Sequence, residues 1–594
     1  MKLKYFLFLC LSLLIFNSSL LIGTVRYVSK TGTSQPPYTS WQTAASSIQL
    51  CINYSSNGDT IYVANGVYHE SLVVDKYLWV IGSSMDSTVI DGTGLNDVTI
   101  EFQTDGGAIE LFTVKGKGGG TINTMCILLA DTYVSQCKAL NSRDGVGTVI
   151  SSPVVNSCII SNVVQGYVSG GIDTNSYSSI KNSVIYVNNS YSDGIEIDGG
   201  KADIYNNLVL SRNSSRGIRS GLFFDVIAIY QKNNIVSGFA RNIDAFATDT
   251  AIAENNISIF ARERGFTINS KTDMRNNISV YNSVGVVGPT STNSDYNLYW
   301  QNNTNTTSPL AEHDIVADPM FVIDTIPVYG GSYDYHLQKY SPAIDAGDPN
   351  ILDVDGSRSD IGIFGGPLGQ KYTYQDLAPK PPGNLTASMD SGLVHLKWNK
   401  NTEADLFRYR VYRDTVPDFI YDTTKIIAVL SDTTFYDDPP QKFISGNYYY
   451  KITAIDSAYN QSPASEEAHI NITGIPEAPP IVVEHYNLLQ NYPNPFNPST
   501  TIPYRLKNPG YVKVMVYNLL GELVRVLVNK YQSAGYYEVL FHPTATERQS
   551  AEGKIEFETG YGDIVSGIYL YRIEVIGEGN IPVFTDMKKM MLVK

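Results

Sequence analysis

YNNLVLSRNSSRGIRSGLFFDVIAIYQKNNIVSGFARNIDAFATDTAIAENNIS, residues 205–258, states one phrase three times: YNNLV (205–209), KNNIV (232–236) and ENNIS (254–258). Outward from it, variants stand at SQCKA (135–139), VNSCI (155–159), KNSVI (181–185), RNNIS (275–279) and DYNLY (295–299). Aligning the second polar residue gives Gln136, Ser157, Ser183, Asn207, Asn234, Asn256, Asn277 and Asn297, at intervals of 21, 26, 24, 27, 22, 21 and 20 residues. A drifting period of this size, with short β-prone runs and no helix in each unit, predicts a parallel β-helix.

The columns of that alignment carry physical expectations. The residues that follow, Cys137, Cys158, Val184, Leu208, Ile235, Ile257, Ile278 and Leu298, form an apolar column suited to the inner wall, stacked at the strand spacing of ~4.8 Å. The residues that precede, Asn156, Asn182, Asn206, Asn233, Asn255 and Asn276, suit a ladder of hydrogen-bonded amides at a turn. Cys137 and Cys158 are then core neighbours, expected as free thiols. Residues 39–54 place Trp41, Ala45, Ile48, Cys51 and Ile52 on one helical face, a cap for the open end of the coil.

A second column runs through SDGIEIDGG (192–200). Gly145-Val146, Gly171-Ile172, Gly194-Ile195, Gly217-Ile218, Gly265-Phe266 and Gly285-Val286 recur, with Asn242-Ile243 filling the gap. If the apolar member points inward, the next residue points out, giving Gly147, Asp173, Glu196, Arg219, Asp244, Thr267 and Val287. The residues before the pairs add Asp193, Arg216, Arg241 and Arg264. One reading makes this wall a polysaccharide groove. Asp193, Glu196 and Arg219 are then catalytic, and Asp173, Arg216, Arg241 and Asp244 bind substrate. Neighbouring carboxylates would serve as acid and base or hold Ca²⁺, and arginines would pair with uronate groups. Lys201, Arg216 and Arg219 are the candidate bases for a lyase. The competing reading is a surface ladder of alternating charge that keeps register and solubility.

A chain of 594 residues with 17% charged residues, 48 Gly and 42 Tyr suits several turn-rich β domains. The net charge of -15 argues against a nucleic-acid partner, which needs clustered Lys and Arg. Residues 1–23 have Lys2 and Lys4 before an apolar run and read as a secretory signal; no later stretch reaches the ~20 apolar residues of a membrane span. The cysteines have neither C-x-x-C spacing nor a nearby His pair for zinc.

GDTIYVANGVYHESLVVDKYLWVIGSSMDSTVIDGTG (58–94) resembles the opening coils of pectin-lyase-like right-handed parallel β-helices. The resemblance covers residues 24–368 and implies that fold. It leaves activity open among lyases, hydrolases, esterases and non-enzymes. SDGIEI is similar to a segment of polygalacturonases, whose later D-D, G-H-G and R-I-K elements are missing here. The Q-D-T-L and W-G-R segments of pectin methylesterases are missing too. SPAIDAG (341–347) and DVDGSRSDIG (353–362) resemble the last turn of secreted β-helices. Asp353, Asp355 and Asp360 there are either Ca²⁺ ligands or, the favoured reading, turn caps neutralised by Arg358.

A Pro-rich linker (369–383) leads to residues 384–473, which resemble a fibronectin type III sandwich with Trp398, Tyr409, Tyr412 and Tyr449 as core. Residues 482–594, with YPNPFNPSTTI (492–502), VKVMVYNLLGELVRVL, SGIYLYRIEV and a terminal KKMMLVK, resemble the C-terminal sorting domain of type IX secretion cargo. That resemblance implies the type IX machinery as partner and a secreted or cell-surface location. Two functions stay open: an enzyme acting on or binding uronic-acid-containing polysaccharide, and a non-catalytic surface or adhesion protein with the coil as a rigid rod.

Overall fold

A computed structural model describes residues 23–593 apart from segments 118–124, 150, 171–174, 188–191, 212–215, 221–225, 290–292, 328–329, 391–392, 438–444, 474–484, 498, 543–546, 550–554, 558–564 and 578–580. The signal-like residues 1–22 lie outside the described part. The chain divides into two compact units, Met1–Ala378 with Thr402–Leu406, and Pro379–Asn401 with Phe407–Lys594.

The first unit is a parallel β-solenoid. Its first face is a 12-stranded sheet from Val25–Val28 to Ser294–Asp295, every pairing parallel and one coil apart. The second and third faces join into one 21-stranded sheet, because Lys138–Val149 and Ile159–Gly170 each turn the corner between them unbroken. Tyr177–Lys181, Val184–Val187 and Asp193–Ile197 give one coil face by face.

The two asparagine columns have distinct jobs. The residue at the corner between first and second faces takes positive φ in Gln136, Ser157, Asn182, Asn206, Asn233, Asn255, Asn276 and Tyr296. Asparagine tolerates that left-handed conformation better than other L-residues. The continuous hydrogen-bonded ladder is the next column; in the expected one, Asn182 Nδ2 donates to Asn156 Oδ1 at 2.8 Å. Asn207, Asn234, Asn256 and Asn277 each donate from Nδ2 to the Oδ1 of the next asparagine at 3.0 Å, ending on Asn297. Each Oδ1 from Asn234 to Asn297 also accepts the preceding ladder residue's backbone N–H at 3.0 Å. The positive-φ series puts Ser157 level with Asn182, so the sequence alignment was one residue out at its start. Cys158 thus occupies the ladder place before Ser183, and its N–H donates to the Ser183 Oγ at 3.1 Å. Cys137 and Cys158 are buried free thiols on successive coils.

Of the apolar column expected inside, Cys137 and Cys158 lie in the solenoid core, while its later members point out. Inward positions on the second face are Ile160, Ile185, Val209 and Val236, all fully buried in the solenoid core. Val184, Leu208 and Ile235 are half-buried on the outer side. From Ile257 onward the outer column is buried as well, because the chain returns across it. Ile257, Ile278 and Leu298 pack with Phe321, Tyr335, Leu337, Ala343 and Ile361 in a separate cluster. The corner asparagines hold this returning segment. Asn233 donates to Ile363 and Gly365 carbonyls, Asn255 to Asp360 and Gly362 carbonyls, and the Asn276 Oδ1 accepts from the Asp348 N–H at 2.7 Å.

At the other end the capping helix is shorter than expected, Ile48–Tyr54, with Ile48, Cys51 and Ile52 buried. Trp41 precedes it and is 47% exposed. Two acidic residues of the GDTI…E stretch build this end. Asp59 accepts from the Thr24 and Ser56 amides and from Arg26 Nε, and Glu70 accepts from the Ile48 and Gln49 amides that open the helix.

The second unit holds antiparallel sheets. Thr386–Asp390, Leu393–Lys397 and Thr434–Asp437 form one; Ile426–Leu430, Leu406–Asp414, Gly446–Asp456 and Ala468–Ile472 form another. Trp398 meets Tyr409 edge-on at 5.4 Å. Tyr450 is buried there rather than Tyr449, which stacks outside on His469 at 4.8 Å. Further on, Asn487–Leu488, Thr500–Leu506 and Gly535–Phe541 make a three-stranded sheet, and Leu523–Gln532, Gly510–Tyr517, Gly567–Ile576 and Pro582–Leu592 a four-stranded one.

Candidate functional site

The third face carries the charged column on strands Asp193–Ile197, Arg216–Ser220, Arg241–Ala245 and Arg264–Ile268. Ile195, Ile218, Ile243 and Phe266 stack inward in register. Alternation then turns Glu196, Arg219 and Asp244 outward. Gly194 has to be glycine, since a Cβ there would stand 2.4 Å from Val209 Cγ1 and 2.6 Å from the Gly217 carbonyl oxygen. That close approach brings Asp193 and Glu196 against the next coil.

One expected member is replaced. The place before Ile195 in the inward stack belongs to Tyr167, and the place before Glu196 belongs to Val168. The long strand Ile159–Gly170 keeps its register through the corner, and the Tyr167 hydroxyl anchors it on Ser178 at 3.0 Å. Asp173 therefore does not hold the rung assigned to it, and the residue itself lies outside the described part.

Arg219 is the hub. Its Nη1 donates to Glu196 Oε1 and lies 3.3 Å from Asp193 Oδ2, while Nη2 lies 3.9 Å from Asp198 Oδ1. Gln165 Nε2 donates to Glu196 Oε2 at 2.7 Å. On the next rungs Arg216 Nε is 3.7 Å from Asp244 Oδ2. Arg241 Nε turns instead to Glu263 Oε2 at 3.5 Å. The structure thus gathers Asp193, Glu196 and Arg219 with Gln165 and Asp198, and sets Arg216 with Asp244 beside them. Asp198 lies outside both columns read from the sequence, one beside each inward residue and one before each glycine. Its signal was available: two residues past Glu196, it shares that side of the strand.

Asp193, Glu196 and Asp244 are all nearly excluded from water. Burial, with the charges of Asp198 and Asp193 beside it, pushes the Glu196 carboxyl up to about 7 against the opposing pull of Arg219. Burial likewise raises Asp193 against Arg219 and Arg216, and Asp244 against its Thr267 hydrogen bond and Arg216. Glu196 therefore holds its proton up to near-neutral pH, the requirement for general acid chemistry.

The folded chain holds the Glu196 proton more tightly than the unfolded chain, whose ordinary value is 4.5. The contribution is full below about 4.5 and lost as pH rises through about 7. Asp193 and Asp244 act in the same direction. Glu196→Gln should remove up to about 3 kcal/mol of the fall in solenoid stability between pH 5 and 8, measured as urea midpoints of both proteins across that range. Parallel pH curves for the two would refute the assignment.

The Asp353, Asp355 and Asp360 stretch spends its oxygens on internal donors. Asp353 accepts from the Asp360 and Gly366 amides, Asp360 from the Asp345 amide and the Tyr374 hydroxyl, and Asp355 from Ser357. Arg358 does not neutralise them; it donates to the Gly347 and Ala346 carbonyls. These carboxylates fit turn caps and do not fit a Ca²⁺ cage, which needs oxygens converging on one point.

No protein-family model and no curated protein matches the chain. Among solved structures, the chain is similar to pectate lyase Pel9A at 16% identity, covering 57% of this chain and 96% of that one, with a TM-score of 0.38. It is similar to pectin methylesterase PemA from Erwinia chrysanthemi at 10% identity, covering 49% and 92%, with a TM-score of 0.26. A Fn3-like protein from Clostridium thermocellum matches at 25% identity over 17% of this chain and 99% of that one, with a TM-score of 0.14. Among the described residues no helix is long and apolar enough to cross a membrane.

Proposed function

We propose that the solenoid acts on polysaccharide at the Asp193–Glu196–Arg219 face, by hydrolysis with Glu196 as proton donor. The observation that carries this reading is the position of Glu196: nearly buried, bonded by Gln165 and Arg219, and crowded by Asp193 and Asp198. Arg219 is the counter-charge that keeps the two neighbouring carboxylates together. A guanidinium has no acceptor atom, and this one is already committed to two carboxylates, so it makes a poor base and hydrolysis is favoured over a lyase step led by Arg219. The stacked Arg216, Arg241 and Arg264 support a substrate carrying uronate groups, which guanidinium forks bind in a bidentate manner.

Export is part of the proposal. The signal-like residues 1–23 and the resemblance of residues 482–594 to type IX sorting domains support passage through both membranes to a secreted or cell-surface location. Residues 384–473 are then a spacer between solenoid and tail.

The rod-like, non-catalytic reading rests on a different aspect of the same cluster: its charges neutralise one another and are largely shielded. Reducing-end release and unsaturated-product absorbance on a panel of uronic-acid polysaccharides, with and without Ca²⁺, decide between the two. Turnover that falls at least about 100-fold in Glu196→Gln is expected. No turnover on any substrate, with glycan binding unchanged in Glu196→Gln and Arg219→Ala, would sink the enzymatic reading and leave the rod.

A further inference from the structure

We propose that the first coils carry a second glycan surface, independent of the charged face: an aromatic platform for an uncharged polysaccharide chain. On the first face, strands Val25–Val28, Thr60–Val63 and Trp79–Gly82 pair in register, placing Tyr27 beside Tyr62 and Thr60 beside Trp79. Arg26, Val28, Ile61, Val63 and Val80 point inward and are buried. The alternate positions therefore face solvent, and they are Val25, Tyr27, Thr60, Tyr62, Trp79 and Ile81, none of them charged. Trp41, from the segment before the capping helix, lies against Tyr27 with ring centroids 4.6 Å apart. Tyr27 stacks on Tyr62 at 6.1 Å, and Tyr77 meets Trp79 edge-on at 6.2 Å.

These rings are open: Trp41 is 47%, Tyr62 39%, Trp79 38% and Tyr77 38% exposed. The chain has four tryptophans, and two of them stand here with their faces partly wet. Large aromatic surface left in water marks a place where something else covers it.

Three features decide what. The rings are carried on three neighbouring strands ~4.8 Å apart and on the segments beside them that hold Trp41 and Tyr77, a row spread over successive coils that suits a chain laid across it rather than a small molecule held in a pocket. It numbers about seven side chains, far short of the ~20–30 residues a side of a stable protein interface, so a second copy or a protein partner is poorly served. Its outward positions on these three strands are uncharged, and the next one in the row, Glu110 beside Ile81, is an anion in a protein of net charge -15, so the surface is poorly suited to an acidic polymer. A neutral pyranoside chain meets all three. The C–H faces of its sugars lie on the rings, and its hydroxyls find the half-buried Thr60 and the exposed Gln42 beside Trp41.

Affinity electrophoresis and pull-down of the full chain test this, with cellulose, xylan, mannan and β-glucan as neutral probes and polygalacturonate as the acidic one. Retention on at least one neutral glycan is expected, with little change when salt is raised to about 1 M. Trp79→Ala and Trp41→Ala should each weaken it by about tenfold, and Tyr62→Phe should leave it intact. Glu196→Gln should leave it unchanged, which separates this surface from the charged face. Thermal melts of each variant matching the parent verify that the fold is kept. No retention on any neutral glycan would overturn the proposal. So would equal retention of the Trp41→Ala/Trp79→Ala double variant, or self-association in sedimentation that the double variant abolishes.

Discussion

Asn256→Ala should destabilise the solenoid by about 3–6 kcal/mol, whereas Asn206→Gly, one column away, should change it by less than about 1 kcal/mol. Asn256 makes four buried side-chain hydrogen bonds: Nδ2 donates to the Gln231 carbonyl at 2.7 Å and to Asn277 Oδ1 at 3.0 Å, while Oδ1 accepts from Asn234 N and Nδ2 at 3.0 Å. Alanine leaves the Gln231 carbonyl and the Asn234 N–H without partners in a dry interior, and each costs its own desolvation. Asn206 is exposed and serves by its conformation, φ +56, which glycine adopts freely. Denaturant unfolding of both variants separates the columns. Equal losses would mean that the corner geometry, and not the amide ladder, holds the rungs together.

Arg219→Met should cost about 3–5 kcal/mol, because it leaves Asp193 and Glu196 facing each other with their shared counter-charge gone. Much of that loss should return in the Arg219→Met/Glu196→Gln/Asp193→Asn variant, which removes the stranded charges and keeps the shapes. The single variant should also unfold less readily on acidification than at pH 8, since protonation relieves the same repulsion. Chemical denaturation at pH 5 and pH 8 reads all of this. A triple variant no more stable than Arg219→Met would show that Arg219 matters through its aliphatic packing and not its charge.

The sequence announces the solenoid because a rung repeats its chemistry: the Asn-Asn-apolar phrase returns every coil, and only a coil brings those copies together. What it does not announce is which way a side chain points. The alignment read VNSCI one residue out of step, since serine, asparagine and cysteine can all stand at the corner or beside it. From KNSVI onward the copies are in step, and there the difference is one of direction: the second asparagine of each pair is buried in the ladder, which turns Leu208 and Ile235 outward. Ile257, Ile278 and Leu298 are apolar for a reason no local pattern contains, the return of Phe321, Tyr335 and Ile361 across them. The charged site was more legible. Asp193, Glu196, Arg216 and Arg219 follow from the pairs Gly194-Ile195 and Gly217-Ile218, and Asp244 from Asn242-Ile243, which stand in register. Asp173 failed because the strand Ile159–Gly170 runs through a corner where the sequence shows no break. Gln165 could be placed only by that same continuous strand.

The ladder positions Cys158, Ser183, Asn207, Asn234, Asn256, Asn277 and Asn297 are separated by unequal numbers of residues, yet all stand in one column. The differences in length fall in the connections between strands, while the strands keep their register from coil to coil. Because closing a longer loop costs little more than closing a short one, such connections can differ between coils without loss of the spine.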